Sequence, residues 1–135
     1  MPTRTPRAVA EKLAEAMGAG AEREPIFALL AEAMTFEMPG DPSVFPWIGH
    51  SVGREQVASL LDGLRQVVIL ERFVVRLILA DDANAAIVGE LACRVVATGK
   101  LIETPYAIVL TVESGLITRF LMLEDSFAVS RAAQP

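Results

Sequence analysis

The sequence predicts an α+β fold, with helices in the first half of the chain and an antiparallel sheet in the second. Apolar residues recur at helical spacing up to about residue 66, and from Val67 onward they form long strand-like runs separated by short turns. The longest such element is Lys100 to Ser126, which reads as two strands joined by a tight turn at Glu113-Ser114-Gly115. Only two residues between Tyr106 and Leu123 are charged, so both faces of this hairpin need cover.

Two helices are predicted to open the chain. Thr5-Pro6 supplies an N-cap and a proline at the first helical position, where the missing N–H costs nothing. The apolar stripe that follows ends at Gly18-Ala19-Gly20, and a second helix is predicted at about 22–33. Residues 35–38 alternate in polarity and predict a short strand that leads into a Pro-Gly turn.

Residues 39–53 form a long loop with three prolines and three glycines. Because these stiff turns surround Phe45 and Trp47, we expect the loop to fold over the protein and not to extend into solvent. A third helix is predicted from Gly53 to about Gln66, with a leucine-rich stripe on one side. Four charged residues are predicted to face outward from this helix: Arg54, Glu55, Asp62 and Arg65.

The second half of the chain predicts a four-stranded antiparallel meander. Strands at 67–80 and 85–97 are joined by a turn, and a second turn at 98–100 leads into the hairpin. Residues 128–135 are predicted to be a loose tail. No repeat or linker divides the 135 residues, so we expect one domain covering 1–135.

Composition excludes several classes of function. The net charge of −5 disfavours nucleic acid, and the longest apolar runs are too short to cross a membrane. The single cysteine, Cys93, is typical of a reducing cytoplasm, and with one histidine the chain predicts no metal site and no cofactor. At 53% hydrophobic residues, the chain has more apolar surface than a small core hides, which favours a lined cavity and a homodimer.

Several short motifs occur in a fixed order: Pro39-Gly40, Gly49, Gly53-Arg54-Glu55, Thr98-Gly99, Gly115-x-Ile117 and Asp125. In this ordered set the chain resembles the SnoaL-like branch of the nuclear transport factor 2-like superfamily, over about residues 7–130. The resemblance implies a cystatin-like α+β roll, in which a curved antiparallel sheet forms a cone and the N-terminal helices enclose a pocket. It also implies a homodimer that pairs the outer face of the sheet.

The same resemblance implies enzymes that act without a cofactor, through carboxylates in an apolar cone. Polyketide cyclases, ketosteroid isomerases and limonene epoxide hydrolases are relatives of this kind. This chain has Met122, Ile108 and Met38 where such relatives keep an acid–base Asp, a His and a catalytic base. Gly89 and Leu91 stand where the hydrolases keep an Arg and an Asp, so none of these activities carries over directly.

Four residues are candidates for catalysis. Glu37, just before Met38-Pro39, could point into the cone, or could be a strand-edge carboxylate paired with an arginine. His50 could lie at the pocket mouth, or could be an ordinary loop histidine in solvent. Tyr106 shares strand parity with Ile108 and could orient a ligand, and Glu124 shares parity with Met122 and could be an acid or base.

Other charged residues are expected to be structural. Glu90 and Arg94 share a strand face but lie about 13 Å apart, so each needs a partner on a neighbouring strand or subunit. Asp125 is expected to anchor the strand end, and Cys93 is expected to belong to the core. The predicted pocket wall is apolar: Phe36, Met38, Phe45, Trp47, Ile108, Leu110, Phe120 and Met122.

Two functions are compatible with these residues. The first is a protein that binds a small apolar molecule in an internal pocket, with isomerase, cyclase or hydrolase chemistry carried by a carboxylate. The alternative is a non-catalytic ligand carrier or a dimeric interaction module. The position of the carboxylates relative to the cavity distinguishes the two.

Overall fold

The structure, a computed structural model, describes residues 3–135 as a curved six-stranded mixed sheet with four helices. In this part of the chain no helix has the length and apolar character needed to cross a bilayer. The helices are α1 (Pro6–Gly18), α2 (Arg23–Phe27), α3 (Arg54–Val67) and α4 (Ser126–Ala133). The strands are β1 (Leu30–Met38), β2 (Gly49–Val52), β3 (Val68–Ala80), β4 (Asn84–Val95), β5 (Leu101–Glu113) and β6 (Leu116–Glu124).

The strand order is β2-β1-β6-β5-β4-β3, and the sheet is not closed. Strands β3 to β6 form the predicted antiparallel meander. The expectation of a purely antiparallel sheet is wrong, because β1 adds to β6 in parallel and β2 then pairs with β1. Register shifts mark bulges in β3 and β6, which bend a sheet and help to curve it into a cone. The α+β cone is therefore confirmed.

The hairpin of β5 and β6 turns on two residues, Ser114 and Gly115, within the predicted turn at Glu113-Ser114-Gly115. Both have positive φ angles, 52° and 78°, which is the backbone of a type I′ turn. A bulge at Thr118 then shifts the pairing by one residue, so that Ile108 pairs with Met122 and Tyr106 pairs with Glu124.

The predicted second helix at 22–33 is wrong. Helix α2 ends at Phe27, and the chain enters β1 at Leu30. Alanines and the spacing of Ile26, Leu30 and Met34 suit a helix, but Leu30, Met34 and Met38 also fit a two-residue period and are all buried in β1. Pairing with β6 decides between the two periods, since Ile117 N donates to Leu29 O at 2.8 Å.

The predicted loose tail at 128–135 is also wrong, because residues 126–133 form α4. Asp125 is its N-cap, and its carboxylate accepts hydrogen bonds from Phe127 N and Ala128 N, both at 3.1 Å. Val129 and Ala132 lie three residues apart and are buried against the rest of the protein. Asp125 thus anchors the end of β6, as expected, and does so by starting a helix.

Residues that pair directly across antiparallel strands lie on the same face of the sheet. One face, here called the inner face, carries Phe120, Met122 and Glu124 of β6 together with their partners on β5. Helix α1 packs against β3, β4 and β5. The opposite side, called the outer face, carries two apolar rows across four strands: Leu77, Val88, Ala107 and Leu123 in one, and Leu79, Ala86, Val109 and Leu121 in the other.

Candidate functional site

A cavity of about 320 Å³ lies between the inner face of the sheet and helices α1 and α3. This volume is at the lower end of the range of small-molecule sites. Its wall is mainly apolar and comes from every layer of the fold, including Leu13 and Met17 of α1, Leu61 and Leu64 of α3, and Leu91 and Ile102 of the sheet. Ile69 is 54% exposed and also lines the cavity, so the cavity reaches the surface at the start of β3.

Two aromatic pairs form one side of the wall. Phe36 packs against Phe120 with ring centroids 5.4 Å apart, and Phe45 stacks on Trp47 at 4.6 Å. The predicted loop at 39–53 is shorter in the structure, because residues 49–52 form β2. The remaining loop folds inward and places both of its large aromatics against the cavity. Trp47 is the only tryptophan of the chain, so its fluorescence can report on what the cavity contains.

Glu124 is the carboxylate of the cavity wall. It ends β6 on the inner face, two residues beyond Met122, and is partly buried. Burial raises the pKa of Glu124 to about 7, because an apolar surrounding disfavours the charged form. A carboxyl group with this pKa exchanges a proton readily near neutral pH, which is the property that an acid–base catalyst needs.

Cys93 lies on the inner face of β4 and also lines the cavity. Burial, followed by the negative charges of Glu124 and Glu71, raises the pKa of the Cys93 thiol to about 12. The thiolate is the nucleophilic form of cysteine, and at this pKa it is scarce at neutral pH. The prediction that Cys93 is a core residue and not a nucleophile agrees with this environment.

Tyr106 lies on the inner face, opposite Glu124, yet it does not line the cavity. Its ring stacks on Phe73 at 4.8 Å, and its hydroxyl donates to the backbone oxygen of Val74 at 2.9 Å. Burial, with a smaller contribution from Glu90, raises the pKa of Tyr106 to about 12. The hydroxyl predicted to orient a ligand is therefore engaged with the backbone of β3.

Glu37 and His50 lie on the outer face, and this corrects the expectation that they reach the cavity. They pair with each other between β1 and β2, while Phe36 and Met38 take the inner positions of β1. Side chains alternate along a strand, so Phe36 and Glu37 cannot both face the cavity. The Glu37 carboxylate accepts a hydrogen bond from Arg119 at 3.3 Å, and His50 is exposed.

Six of the eight predicted wall residues line the cavity: Phe36, Met38, Phe45, Trp47, Phe120 and Met122. The other two, Ile108 and Leu110, do not line it and are fully buried. They lie farther along the inner face of β5, the strand against which α1 packs, so core side chains fill the space above them.

The expected structural ion pairs are present on the outer side of the sheet. Arg76 of β3 binds Glu90 through two hydrogen bonds of 3.1 and 2.9 Å, and Arg94 binds Glu71 at 2.8 and 3.2 Å. Each charge of β4 thus finds its partner on the neighbouring strand, as predicted. Within residues 3–135 no group of three His, Cys, Asp or Glu side chains could hold a metal ion.

Arg65 is a charged wall residue that the sequence did not point to. It was expected to face outward from α3, but it lines the cavity at the last turn of that helix. Its Nη1 donates to Glu22 at 3.2 Å, and its Nε is buried with no hydrogen-bond partner in the described part of the chain. Helix α3 ends at Val67, two residues after Arg65, and β3 begins at the next residue. Arg65 therefore lies where the helix meets the sheet, beside the cavity.

Comparison with known proteins agrees with this architecture. The sequence profile of the SnoaL-like domain matches residues 10–120. The chain belongs to the SnoaL-like family. No curated protein matches this SnoaL-like chain.

Three solved structures illustrate the likeness. An NTF2-like protein from Burkholderia xenovorans LB400 has a TM-score of 0.80 and 23% identity, covering 93% of both chains. An NTF2-like protein from Burkholderia thailandensis E264 has a TM-score of 0.84 and 21% identity, covering 98% of this chain and 100% of the other. An LEH-like epoxide hydrolase from M. tuberculosis has a TM-score of 0.73 and 17% identity, covering 94% and 87%. At these identities the SnoaL-like protein shares their fold.

Proposed function

We propose that this SnoaL-like protein binds a small, mainly apolar molecule in its cavity, and that Glu124 acts on that molecule as an acid or base without a cofactor. The observation that carries the proposal is the position of Glu124 in a mainly apolar wall, where burial raises its pKa to about 7. Below that pH the carboxyl group can donate a proton, and above it the carboxylate can accept one.

The shape of the site supports the same proposal. The mainly apolar wall lowers the local dielectric around Glu124 and strengthens its interaction with a bound polar group. The aromatic pairs, one on β1 and β6 and the other in the loop after β1, give a ligand large flat surfaces to pack on. Isomerase, cyclase and hydrolase reactions all use a carboxylate in this way, and the identity of the retained ligand would distinguish them.

Native mass spectrometry of the protein purified from its own source organism tests the proposal. We expect a Glu124→Gln variant to retain a small molecule unchanged, and the wild-type protein to convert that molecule when the two are mixed. Met17→Trp should lose the molecule, because Met17 lines the cavity and an indole would fill it. Lys12→Trp, on the exposed side of the same helix, is the matched control and should keep it.

Two results would count against the proposal. A wild-type protein with no retained molecule, whose Trp47 fluorescence also does not respond to octan-2-one, would show that the cavity binds no apolar ligand. A retained molecule that the wild-type protein leaves unchanged would favour the non-catalytic carrier instead.

The outer face supports a second part of the proposal, a homodimer through this face. Leu77, Leu79 and Leu123 are 44%, 60% and 37% exposed, although they belong to two apolar rows that cross four strands. Ion pairs flank these rows, Arg119 with Glu37 beside β6 and Arg76 with Glu90 on β3 and β4. An apolar centre with both signs of charge at its rim can match a second copy of itself across a two-fold axis.

Leu79→Asp is expected to convert the dimer into a monomer. A charge inside an apolar two-fold interface is buried twice, once from each copy, and costs several kcal/mol. Sedimentation velocity measures the change directly. Phe127→Asp is the control, since Phe127 is 69% exposed on α4 and the variant should remain dimeric. A wild-type protein that sediments as a monomer at 100 μM would refute the proposed dimer.

A further inference from the structure

Thr104 is a buried threonine at the end of the hairpin that carries Glu124. It is 3% exposed and lies on β5, two residues before Tyr106, the partner of Glu124. The Thr104 hydroxyl donates to the backbone oxygen of Pro105 at 2.6 Å and accepts a hydrogen bond from Asp125 N at 2.8 Å. This hydroxyl therefore joins β5 to the residue that directly follows Glu124.

The backbone alone cannot extend the hairpin at this point. Tyr106 and Glu124 are the last residues of β5 and β6 that pair, and the next pair in the same register would be Pro105 with Asp125. Pro105 has no N–H, so it cannot donate to the backbone of Asp125. The Thr104 hydroxyl supplies the connection instead, one residue beyond Glu124.

Glu124 lies where the cavity comes near the surface of the protein. It lines the cavity, and it also lines a shallow surface hollow together with Pro105 and Asp125. Burial, and not a neighbouring charge or hydrogen bond, raises the pKa of Glu124. That pKa therefore depends on how well this end of the hairpin keeps water away from the carboxyl group.

The same hydroxyl also fixes the start of α4. It holds the N–H of Asp125, whose carboxylate caps this helix. Helix α4 in turn places Val129 in the wall of the cavity. Loss of the hydroxyl would thus loosen both the strand end that carries Glu124 and the helix that follows it.

We propose that Thr104 is a positioning residue, which holds Glu124 in the cavity wall by binding the N–H of the next residue. The inference rests on the proposed function, because Glu124 needs surroundings poor in water to act as an acid or base near neutral pH. Thr104 itself does not line the cavity. Its effect on a bound molecule therefore passes through the carboxyl group of Glu124.

Thr104→Val tests this role, because it replaces the hydroxyl with a methyl group of similar size. The Asp125 N–H then turns to water, the end of β6 frays, and the Glu124 carboxyl group becomes hydrated. We expect the NMR titration midpoint of the Glu124 carboxyl carbon to fall from near 7 by about one pH unit or more, toward the ordinary value of 4.5.

Thr118→Val is the matched control. Thr118 lies on β6 of the same hairpin, and its hydroxyl also donates to a backbone oxygen of β5, that of Thr111 at 3.3 Å. This variant loses a comparable hydrogen bond at the opposite end of the hairpin. Its Glu124 midpoint should stay near 7.

Thr104→Ser and Thr104→Ala give a second comparison, in which both variants lose the methyl group and only alanine loses the hydroxyl. Serine should keep the wild-type midpoint of Glu124, and alanine should lower it as valine does. The pair separates the hydrogen bond from packing, and it decides the question if Thr104→Val does not fold.

The outcomes distinguish this inference from the proposed function. If the wild-type midpoint of Glu124 is near 7 and removal of the Thr104 hydroxyl leaves it there, the role of Thr104 is refuted and the acid–base proposal stands. The same holds if Thr118→Val lowers the midpoint as much as Thr104→Val does. If the wild-type midpoint is already near 4.5, both proposals are refuted together.

Discussion

Gly89→Ala is expected to destabilise the protein by about 3 kcal/mol. A Cβ atom on Gly89 would overlap the backbone oxygen of Val74 and would lie 3.0 Å from the hydroxyl of Tyr106. The neighbouring atom is part of the backbone of β3 and cannot rotate away, so the two strands must separate locally. The separation also breaks the hydrogen bond from Tyr106 to Val74, which leaves a buried hydroxyl without its acceptor.

Two variants test whether this close approach is the cause. Gly63→Ala should stabilise the protein by up to about 1 kcal/mol, because Gly63 lies inside α3 with no atom near the added Cβ. Tyr106→Phe removes the hydroxyl alone and should cost about 1 kcal/mol. Urea unfolding gives all three values. A Gly89→Ala variant as stable as the wild-type protein would show that β3 and β4 are not in close contact at Gly89 and Val74.

Glu124→Gln is expected to change the pH dependence of stability. Burial raises the pKa of Glu124 from its ordinary value of 4.5 to about 7 in the folded protein. Between these two pH values the folded state holds a proton that the unfolded state has released, so the wild-type stability falls as the pH rises through this window. Glutamine has no proton to lose, and the free energy of unfolding of the variant should gain about 3 kcal/mol relative to the wild type between pH 4 and pH 8.

Urea unfolding at pH 4, 5, 6, 7 and 8 measures this difference for both proteins. Glu37→Gln removes a negative charge from the outer face and controls for the change in net charge. The contradicting result is a difference in the free energy of unfolding between Glu124→Gln and the wild type that is the same at every pH. Glu124 would then not be buried in an apolar surrounding, and the acid–base proposal would lose its basis.

The sequence predicted those elements whose local signals agree with one another. The meander, the tight turn at Glu113-Ser114-Gly115 and the first and third helices have local signals that agree. Helix α2 was predicted too long because the segment after it suits a helix by propensity, and only the parallel pairing of β1 with β6 shows otherwise. Long-range strand pairing leaves no local signal.

The candidate site was predictable where strand parity was applied consistently. Glu124 was placed correctly because it shares a face with Met122. Glu37 was assigned to the pocket together with its neighbours Phe36 and Met38. Side chains alternate along a strand, so Glu37 must face away from the cavity when Phe36 and Met38 face it. Arg65 could not be found from the sequence, because its direction depends on how the end of α3 meets the turn that carries Glu22.

Tyr106 shows what strand parity cannot predict. Parity placed it correctly on the inner face, but parity does not reveal what a hydroxyl contacts. The bulge in β3 brings Val74 O within reach, and the absence of a side chain at Gly89 leaves room for the bond. The glycine that stands in place of a catalytic residue of the hydrolases therefore has a structural role in this protein.

The titration of the Glu124 carboxyl carbon by NMR, with and without octan-2-one, tests the central claim most directly. We predict a midpoint near pH 7 in the free protein and a displaced midpoint once the ketone occupies the cavity, because the ligand changes the surroundings of the carboxyl group. A midpoint near 4.5 in both samples would contradict the claim, since it would place Glu124 in water and outside the site.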